Sequence, residues 1–553
     1  MALTVTNNMT ETFNMEGISD NGGTWVALGS AASLTAQIDI VRVGSGSISC
    51  RLDGGATGAR GGMEITRSTP IDFDNTGTPA GMIIFWANTS SVLNNTATTG
   101  GITLRVGSDA SNWVEWQVAT GDGSNGQVYA GGWQPYTVDV SVTPDSTSGT
   151  IDWTAVDYFA IQFDVITDIM GNIQTIFIDE MNHLDATSIT NGTSMINVDG
   201  TVTTSGALFS EIYADVTAFD LGVISNLGGA YQMNGSLTLG SAAGTATLTS
   251  QNEAVIFPNH RVNDGGFFIN APGNASGTQT IRWGAESGTP PNSVGSQGGI
   301  LKSDGAGFDF IADNTNAIVE LFGMTIDTAR DITWTQTNAK SVSVTLVNCR
   351  SLIRGSGSEW RDGIITNSTA PSGTGAVIHN DNPTDPEFRD MIIQNCVHAM
   401  EWETDGANTL DLRNIKFINN TADLRYNHTT GLLTVNVLDG SDSPTTSDGG
   451  FGGTITIVSS QPLQVTVVEA EDFITPVVGA RVGIHRQDNN AEILNTVTNG
   501  SGIASGTTSF TGAVFIRVRD EDEINVKIPA IVASSTGLTQ TVALTDDNIY
   551  TPT

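Results

Sequence analysis

The chain has 553 residues, enough for three or four domains at about 150 residues each. Its 58 acidic residues outnumber the 22 lysines and arginines, which leaves a formal charge of -36. Because binding to phosphates requires clustered basic residues, this balance argues against a nucleic-acid-binding protein and against docking on an anionic membrane. The 63 glycines, the 16 prolines and a hydrophobic content of 39% indicate β-structure with many turns rather than disorder.

The amino-terminal residues have neither a basic segment nor an apolar core, so we expect no cleaved secretory signal and synthesis in a cytoplasm. No apolar run approaches the roughly 20 residues of a membrane-spanning helix, and we expect no membrane insertion. Three scattered cysteines, Cys50, Cys349 and Cys396, are too few for a disulfide framework or a zinc site. We expect them to be buried free thiols.

Residues 1–185 contain six of the ten tryptophans and alternate apolar with polar residues at a period of two. About eight strands with long loops in this length predict an antiparallel sandwich of the jelly-roll type. The predicted strands with the clearest alternation are Leu34–Val43, Met82–Ala87, Ile102–Val106, Trp113–Val118, Tyr136–Val142, Tyr158–Val165 and Ile173–Ile178.

Four short phrases in this region resemble those of jelly-roll carbohydrate-binding modules. They are Phe13–Glu16 followed by Trp25, the W-x-x-Y-x-V-x-V segment Trp133–Val140, Ile151–Asp157 and Ile176–Glu180. The resemblance implies a structural calcium ion between Glu16 and Asp179, and sugar binding by aromatic residues such as Trp113, Trp116 or Trp133. The alternatives are an exposed carboxylate at a strand end and tryptophans that belong to the core.

Residues 186–458 change to short apolar strands that recur behind Gly, Asn and Asp at spacings near 20 residues. This repeat predicts a right-handed parallel β-helix, in which each coil supplies two or three short strands. Asn348, Asn395 and Asn414 each follow an apolar strand, which predicts Asn side chains stacked at a turn between coils. Cys349 and Cys396, which come next to two of them, are then interior residues.

Residues 461–553 contain a P-V-x-G-A-x-V segment at Pro476–Val482 and a T-N-x-x-G-x-A segment at Thr498–Ala504. These segments resemble transthyretin-like and immunoglobulin-like sandwich repeats, which act as adaptors. Asn499–Gly500 and Gly502 suit the positive φ of a tight hairpin. The acidic run Asp520–Glu523 is predicted to lie in a loop. The fold class predicted for the chain is therefore all-β.

The chain contains no nucleophile elbow, phosphate-binding loop, zinc-protease motif or EF-hand loop. The strongest enzymatic candidate is a set of carboxylates, Glu401, Glu403 and Asp405, which alternate on one apparent strand at steps of about 6 to 7 Å. Two carboxylates roughly 5 to 9.5 Å apart would suffice to hydrolyse a polysaccharide. A second acidic cluster surrounds Trp360, at Glu359–Asp362. The alternative for both clusters is a solvated acidic surface.

The chain has few lysines and combines a predicted jelly roll, β-helix and immunoglobulin-like sandwich. This combination resembles that of bacteriophage virion proteins, especially tail or capsid appendages. The resemblance implies a structural protein that contributes to assembly and to attachment to host-surface glycan. It implies other virion proteins as partners, a homotrimer or another homo-oligomer, and location in a virion assembled in the host cytoplasm. No cofactor is expected apart from the calcium ion. The alternatives are a tailspike depolymerase that uses the β-helix carboxylates and a bacterial carbohydrate-binding adhesin.

Overall fold

The computed structural model describes most of the chain, in segments separated by gaps. The described residues are 3–29, 31–53, 60–89, 101–119, 132–164, 173–190, 193–202, 208–214, 222–240, 246–257, 266–269, 279–287, 294–304, 307–312, 316–334, 338–354, 358–371, 373–379, 388–520, 525–533 and 536–545. The chain forms two compact units, Met1–Ile353 and Arg354–Thr553. The predicted domain boundaries at 185 and 458 stay predictions.

Strands account for nearly all of the regular structure, so the all-β prediction is confirmed. Two short helices, Ala186–Thr190 and Leu208–Ala214, occur in the described segments. Within those segments no helix has the length and apolar character needed to cross a membrane.

Two six-stranded antiparallel sheets face each other at the start of the first unit. One sheet contains Trp133–Asp139, Met82–Thr89, Ile173–Leu184, Ser47–Asp53 and Ala31–Gln37 in this order, with Thr10–Phe13 paired to Ile173–Leu184. The other contains Ser146–Ser148, Asn112–Ala119, Ile102–Asp109, Val156–Asp164, Arg60–Ile71 and Val26–Gly29. Small two-stranded ribbons pair Ser19–Asp20 with Gly23–Thr24 and Asp74–Asn75 with Thr78–Pro79.

The core between these two sheets is built from the apolar positions of each alternating strand. Ile102, Leu104 and Val106 of one sheet and Ile83 and Phe85 of the other are fully buried in one cluster. Because successive side chains point to opposite faces of a strand, the intervening polar residues are directed to the outer faces.

One predicted strand of this region ends earlier than the sequence pattern indicated. The pattern placed a strand at Leu34–Val43, but the strand is Ala31–Gln37 and a bend follows it. Ile38 is 80% exposed, so its hydrophobicity does not reflect burial in the sheet. The alternation in this segment was therefore misleading.

Three further sheets of the first unit are built mainly of parallel pairs. One contains Ile196–Asp199, Leu237–Leu239, Gly266–Ile269, Phe308–Ile311, Ala329–Trp334 and Leu352–Arg354, with Thr4–Asn7 antiparallel at its start. A second contains Thr201–Val202, Ala246–Ser250, Gln279–Trp283, Ala317–Phe322 and Asn338–Val342. A third contains Ile224–Asn226, Tyr231–Met233, Glu253–Phe257, Gly299–Ser303, Met324–Asp327 and Thr345–Val347. Ala285–Glu286 and Val294–Ser296 form a separate ribbon.

The second unit begins with three sets of parallel strands that the chain visits in rotation. They comprise Val377–His379, His398–Trp402, Ala422–Tyr426 and Thr446–Asp448; then Glu359–Arg361, Phe388–Arg389, Asn408–Arg413, Leu432–Leu438 and Thr454–Val458; and finally Ile364–Thr366, Ile392–Gln394 and Lys416–Ile418. Glu401 pairs in register with Arg425, which lies 24 residues later in the chain.

The asparagines that follow these short strands have a left-handed backbone, as expected for a sharp turn. Asn348, Asn395 and Asn414 have φ values of 54°, 56° and 50°. Asn tolerates this conformation better than most residues with a side chain. The Asn414 amide donates to Asp390 at 2.8 Å, so its partner is an aspartate that lies 24 residues earlier in the chain and not another asparagine. Cys349 and Cys396 are buried free thiols, as predicted.

The carboxyl-terminal part of the second unit is a sandwich of a three-stranded and a four-stranded sheet. The three-stranded sheet contains Ile503–Thr508, Gln461–Glu469 and Leu538–Leu544. The four-stranded antiparallel sheet contains Glu492–Val497, Arg481–Arg486, Gly512–Arg519 and Val526–Val532. Their apolar positions, such as Val465, Ile484 and Ile516, form one buried cluster.

The predicted turn of this sandwich is present, with one correction. Gly502 has a φ of 71°, whereas Asn499 and Gly500 do not have a positive φ. The Asn499 side-chain oxygen instead accepts hydrogen bonds from the backbone amides of Ser501 at 2.9 Å and Ile503 at 3.1 Å. The asparagine therefore shapes the turn through its side chain rather than its backbone.

Candidate functional site

The three tryptophans suggested for sugar binding lie in different environments. Trp116 is 1% exposed, and its indole nitrogen donates to the carbonyl of Val142 at 2.9 Å, so it belongs to the core. Trp133 is half-buried on the edge strand of the other six-stranded sheet. Trp113 is half-buried on the outer side of the sheet that contains Ile102–Asp109. Only Trp113 lies among polar side chains directed away from the core of that sheet.

These side chains form what we call the polar face. It comprises Arg60, Glu64, Thr103, Arg105, Trp113, Glu115, Gln117, Tyr158 and Gln162. Apart from Arg60, which precedes Gly61, each of them is next in its strand to a buried apolar residue of the sandwich core. Four adjacent strands therefore place aromatic, amide, carboxylate and guanidinium groups on one face of the sheet. Trp113 and Arg105 are half-buried on it, whereas Thr103, Glu115, Gln117, Tyr158 and Gln162 are 9% exposed or less.

Glu115 lies at the centre of the polar face and bridges two arginines. Its Oε1 accepts from Nη1 of Arg60 at 2.9 Å, and its Oε2 accepts from Nε of Arg105 at 2.5 Å. Glu115 is only 5% exposed, and such a buried carboxylate needs these charge-assisted partners. The two arginines hold the Glu115 carboxylate in a defined orientation.

Arg105 also connects this ion pair to the aromatic ring. Its guanidinium carbon lies 3.9 Å from the centroid of the Trp113 ring. This cation–π contact and the bond to Glu115 restrain both side chains. Trp113 is therefore a preorganised ring beside a fixed array of hydrogen-bonding groups.

The other side of the polar face presents a phenol and an amide. The Tyr158 hydroxyl donates to Oε2 of Glu64 at 2.6 Å. Burial raises the pKa of Tyr158, and the hydrogen bond to Glu64 adds to the increase, so the phenol stays protonated. The side-chain oxygen of Gln162 is buried and has no hydrogen-bond partner within the described segments. A buried acceptor of this kind is satisfied when a hydroxyl donor binds.

The two carboxylates proposed for calcium both contact one loop. Asp179 is completely buried, and its Oδ2 accepts from the amides of Arg42 at 2.8 Å and Val43 at 3.1 Å. Glu16 is exposed, and its Oε1 accepts from the amide of Ser45 at 3.2 Å. The structure thus brings Glu16 and Asp179 to residues 42–45.

The second carboxylate oxygen of Asp179 is a candidate ligand for a cation. Its Oδ1 is buried and has no hydrogen-bond partner among the residues that the structure describes. Burial raises the pKa of Asp179, although the Arg42 and Val43 amides counteract this increase. Over the described part of the chain, no group of three His, Cys, Asp or Glu side chains could hold a metal. A calcium ion here would therefore need backbone carbonyl or water ligands as well.

The carboxylates suggested for polysaccharide cleavage do not share a strand. The strand ends at Trp402, so only Glu401 belongs to it, while Glu403 and Asp405 follow it. Glu401 is 1% exposed and accepts from Arg425 Nη1 at 2.7 Å and from the Gly375 amide at 2.7 Å. This carboxylate is locked in a buried ion pair, and its catalytic assignment stays a prediction.

The other two carboxylates have opposite electrostatic environments. Partial burial and the nearby charge of Glu401 raise the pKa of Glu403. Asp405 accepts from the hydroxyl of Thr429 at 2.6 Å and from the amide of Thr430 at 3.1 Å, and these bonds lower its pKa. Asp405 therefore stabilises a turn, and Glu403 is the more readily protonated of the two carboxylates.

The second acidic cluster is also engaged in ion pairs. Arg361 contacts Glu359 at 2.5 Å and Asp362 at 3.3 Å, and Trp360 between them is buried. Arg361 is itself only 5% exposed, so its guanidinium is a buried partner of the two carboxylates. The assignment of this cluster stays a prediction.

Sequence reasoning missed most of the polar face. Arg60, Glu64 and Glu115 were not identified as site residues, although a signal was present. The predicted strand Trp113–Val118 carries Glu115 and Gln117 at alternate positions. Which of these positions meet on adjacent strands depends on pairing that the sequence pattern does not specify.

Comparisons with known proteins give matches to solved structures alone. No family model matches the chain, and no curated protein matches it. A carbohydrate-binding module of the β-sandwich superfamily is 16% identical over 32% of this chain and 62% of its own, with a TM-score of 0.21. This chain therefore covers less than two thirds of that protein.

Two further structures are similar over different shares of the chain. The family 30 carbohydrate-binding module of the Clostridium thermocellum cellulase Cel9D-Cel44B is 9% identical over 33% of this chain and 98% of its own, with a TM-score of 0.21. The catalytic domain of a GH87 α-1,3-glucanase is 11% identical over 84% of this chain and 79% of its own, with a TM-score of 0.16.

Proposed function

We propose that this chain is a glycan-binding attachment protein and that the polar face binds the sugar. The observation that carries the proposal is the group of Trp113, Arg105 and Glu115, held together on an outer sheet surface. An aromatic ring offers a flat apolar surface for the C–H face of a sugar. The adjacent charged groups and amides exchange hydrogen bonds with its hydroxyls.

The chemistry of the polar face favours binding over catalysis. Glu115 is already paired with two arginines, so it serves as an acceptor rather than as a proton donor. Tyr158 and Gln162 add a neutral hydroxyl and an amide, which suit recognition of neutral polyols. A small number of placed polar groups beside an aromatic ring is typical of ligand sites.

We also propose a specific architecture for each of the three regions. The two six-stranded sheets are proposed to form a jelly roll, and the sets of parallel strands a right-handed parallel β-helix. The last sandwich is proposed to be immunoglobulin-like. Parallel strands visited in rotation support the β-helix, and parallel crossover connections are right-handed in about 98% of proteins.

The biological setting that we propose is a bacteriophage virion. A tail or capsid appendage, assembled in the host cytoplasm with other virion proteins and as a homotrimer or another homo-oligomer, would present the polar face to host glycans. The proposed combination of domains resembles that of bacteriophage virion appendages, and this resemblance supports the setting. Mass spectrometry of purified particles tests it, and absence of the chain from every particle would refute it.

Glycan binding is tested with the full chain on immobilised host-surface polysaccharides. We expect Trp113→Ala and Glu115→Gln each to weaken binding about tenfold or more, because each removes a contact or the group that orients it. Glu320→Gln is the matched control, since Glu320 pairs with Arg282 in an ion pair outside the polar face. Binding that is unchanged in both polar-face variants, or absent for every glycan tested, would refute the proposal.

A further inference from the structure

The four-stranded sheet of the carboxyl-terminal sandwich has a groove on the side that faces away from its core. We call it the basic groove and define it by Arg481, Gly483, His485, Arg517, Arg519 and Lys527. Its volume is about 400 Å³. Cavities of about 300 to 1,000 Å³ are the size that small ligands or a few sugar units occupy.

Strand pairing places the cations of the groove next to one another. Arg481 lies opposite Arg519, and Arg517 lies opposite Lys527 on the next strand. Directly opposite side chains are about 5 Å apart at their Cβ atoms, and Arg517 and Arg519 are about 7 Å apart along their strand. The intervening residues, such as Val482 and Val518, point into the core. Four positive charges are therefore directed to one surface.

This concentration of positive charge is exceptional for the composition of the region. Residues 461–553 contain only five lysines and arginines against eleven acidic residues, and four of the five line the groove. Like charges opposite each other destabilise a sheet. Because the sequence has few cations to place, their convergence on one surface indicates a role that compensates for this repulsion.

The described partners of these cations are neutral groups. Arg481 donates to the side-chain oxygen of Asn495 at 2.9 Å, and Arg517 donates to that of Asn490 at 2.9 Å. Lys527 lies 3.8 Å from the centroid of the Phe515 ring. These contacts orient the cations without neutralising their charge. Glu492 also lines the groove, so the four cations leave an excess of positive charge for an external anion.

A glycine opens the floor of the groove. Gly483 lies in the middle of its strand, opposite Arg517 on one side and Asn495 on the other. Glycine weakens a strand interior and often marks a place where a ligand approaches the backbone. A Cβ at this position would meet only the His485 side chain, at 3.1 Å, within 4 Å. A larger residue would therefore need only a small shift of the His485 side chain, and the space above Gly483 is otherwise open to a ligand.

We propose that the basic groove binds the carboxylate groups of an acidic polysaccharide. Three guanidinium groups match planar carboxylates in bidentate hydrogen bonds, and Asn495 and His485 can bind sugar hydroxyls. A sugar unit fits a concave site of this volume better than the flat surface of a partner protein would. The excess of acidic residues in the same region disfavours a densely charged nucleic acid. The groove lies on a different sheet from the polar face and adds a second, charge-selective site to the proposed function.

The test is calorimetry of the full chain with oligogalacturonate, and the fully methyl-esterified oligomer is the matched neutral ligand. We expect the acid form to bind with an affinity that falls as salt rises, and the ester not to bind. Arg517→Gln should weaken binding about tenfold or more, because a charge-assisted pair is lost. Gly483→Val should abolish binding by filling the floor of the groove.

Two controls separate a specific site from general electrostatics. Arg486→Gln removes a cation that pairs with Asp488 and does not line the groove, so binding should be unchanged. Glu492→Gln removes an acidic residue from the lining and should strengthen binding. Melting curves of all variants establish that each one is folded.

Several outcomes would overturn the proposal. They are no binding of oligogalacturonate, binding that persists in both Arg517→Gln and Gly483→Val, and equal binding of the ester. Groove-dependent binding of single-stranded DNA in place of the oligogalacturonate, or self-association lost in Arg517→Gln, would assign the groove to another partner. Neutral-glycan binding in the Trp113→Ala experiment is measured separately, so failure of one site is distinguishable from failure of the other.

Discussion

Glu401 shows how the environment of one residue changes its interpretation. In the sequence it is one of three alternating acids, and in the structure it is a buried carboxylate paired with Arg425 across adjacent parallel strands. Asn427 also donates to it, at 2.5 Å. A carboxylate with these partners stabilises the fold, because breaking a buried pair leaves an uncompensated charge.

We expect Glu401→Gln to lower the free energy of unfolding by about 3 kcal/mol, since Arg425 would lose its counter-charge in a largely buried site. Glu403→Gln is the control and should be nearly neutral, because Glu403 is exposed. Thermal and denaturant unfolding measure both. An unchanged midpoint for Glu401→Gln would contradict the structural role.

The same two variants test polysaccharide cleavage. A reducing-sugar assay on host capsule or lipopolysaccharide shows whether any sugar is released by the unmodified chain. The depolymerase prediction would be supported if Glu403→Gln abolished sugar release without changing the melting temperature of the protein. Absence of release from every glycan would refute it.

Asp179 leads to a prediction about calcium and pH. Because burial raises its pKa in the folded state, this group stabilises the protein most when it is protonated, below its unfolded-state pKa. That contribution is lost as the pH rises through the folded-state pKa. At neutral pH a bound calcium ion would offset the cost of the buried charge, so calcium should raise the melting temperature.

The measurement is melting with calcium or with chelator at neutral and acidic pH. We expect the calcium effect to disappear in Asp179→Asn and to shrink at acidic pH. Asp145→Asn serves as a control for a carboxylate elsewhere in the same sandwich. A midpoint that does not respond to chelator would remove calcium from this site.

At the scale of the secondary-structure elements, the left-handed turns between short strands were predictable from sequence. Asn395 is exposed and has a φ of 56° directly after the strand Ile392–Gln394. The turn repeats at Asn367 and Asn419, with φ of 54° at both. The left-handed backbone conformation is common to these positions and explains why Asn recurs there, while Asn348 and Asn414 also donate to aspartates.

This explanation predicts opposite effects for two substitutions at Asn395. Asn395→Gly should leave stability nearly unchanged, because glycine adopts a positive φ without strain. Asn395→Val should cost about 1 to 2 kcal/mol, since a β-branched residue is strained in this region. Denaturant unfolding measures both. Equal loss in the two variants would indicate that the amide side chain matters instead.

At the scale of the whole molecule, the charge of -36 argued against binding to nucleic acid and to anionic membranes. The structure shows that the few cations are not distributed at random. Arg60 and Arg105 neutralise Glu115 on the polar face, whereas Arg517 and its neighbours in the basic groove have neutral partners. Net charge therefore describes long-range repulsion of polyanions but does not predict local binding.

The sequence by itself determined the all-β class, the change from long to short strands, the Asn turns and the burial of the cysteines. These features follow from local rules of alternation, backbone preference and turn chemistry. Only the tertiary structure decided that Trp116 is core and Trp113 is not, that Glu401 is buried, and that four scattered cations share one groove. The physical reason is that alternation assigns a residue to a face of its strand. The neighbours of that face, and therefore its charge and exposure, come from pairing between distant segments.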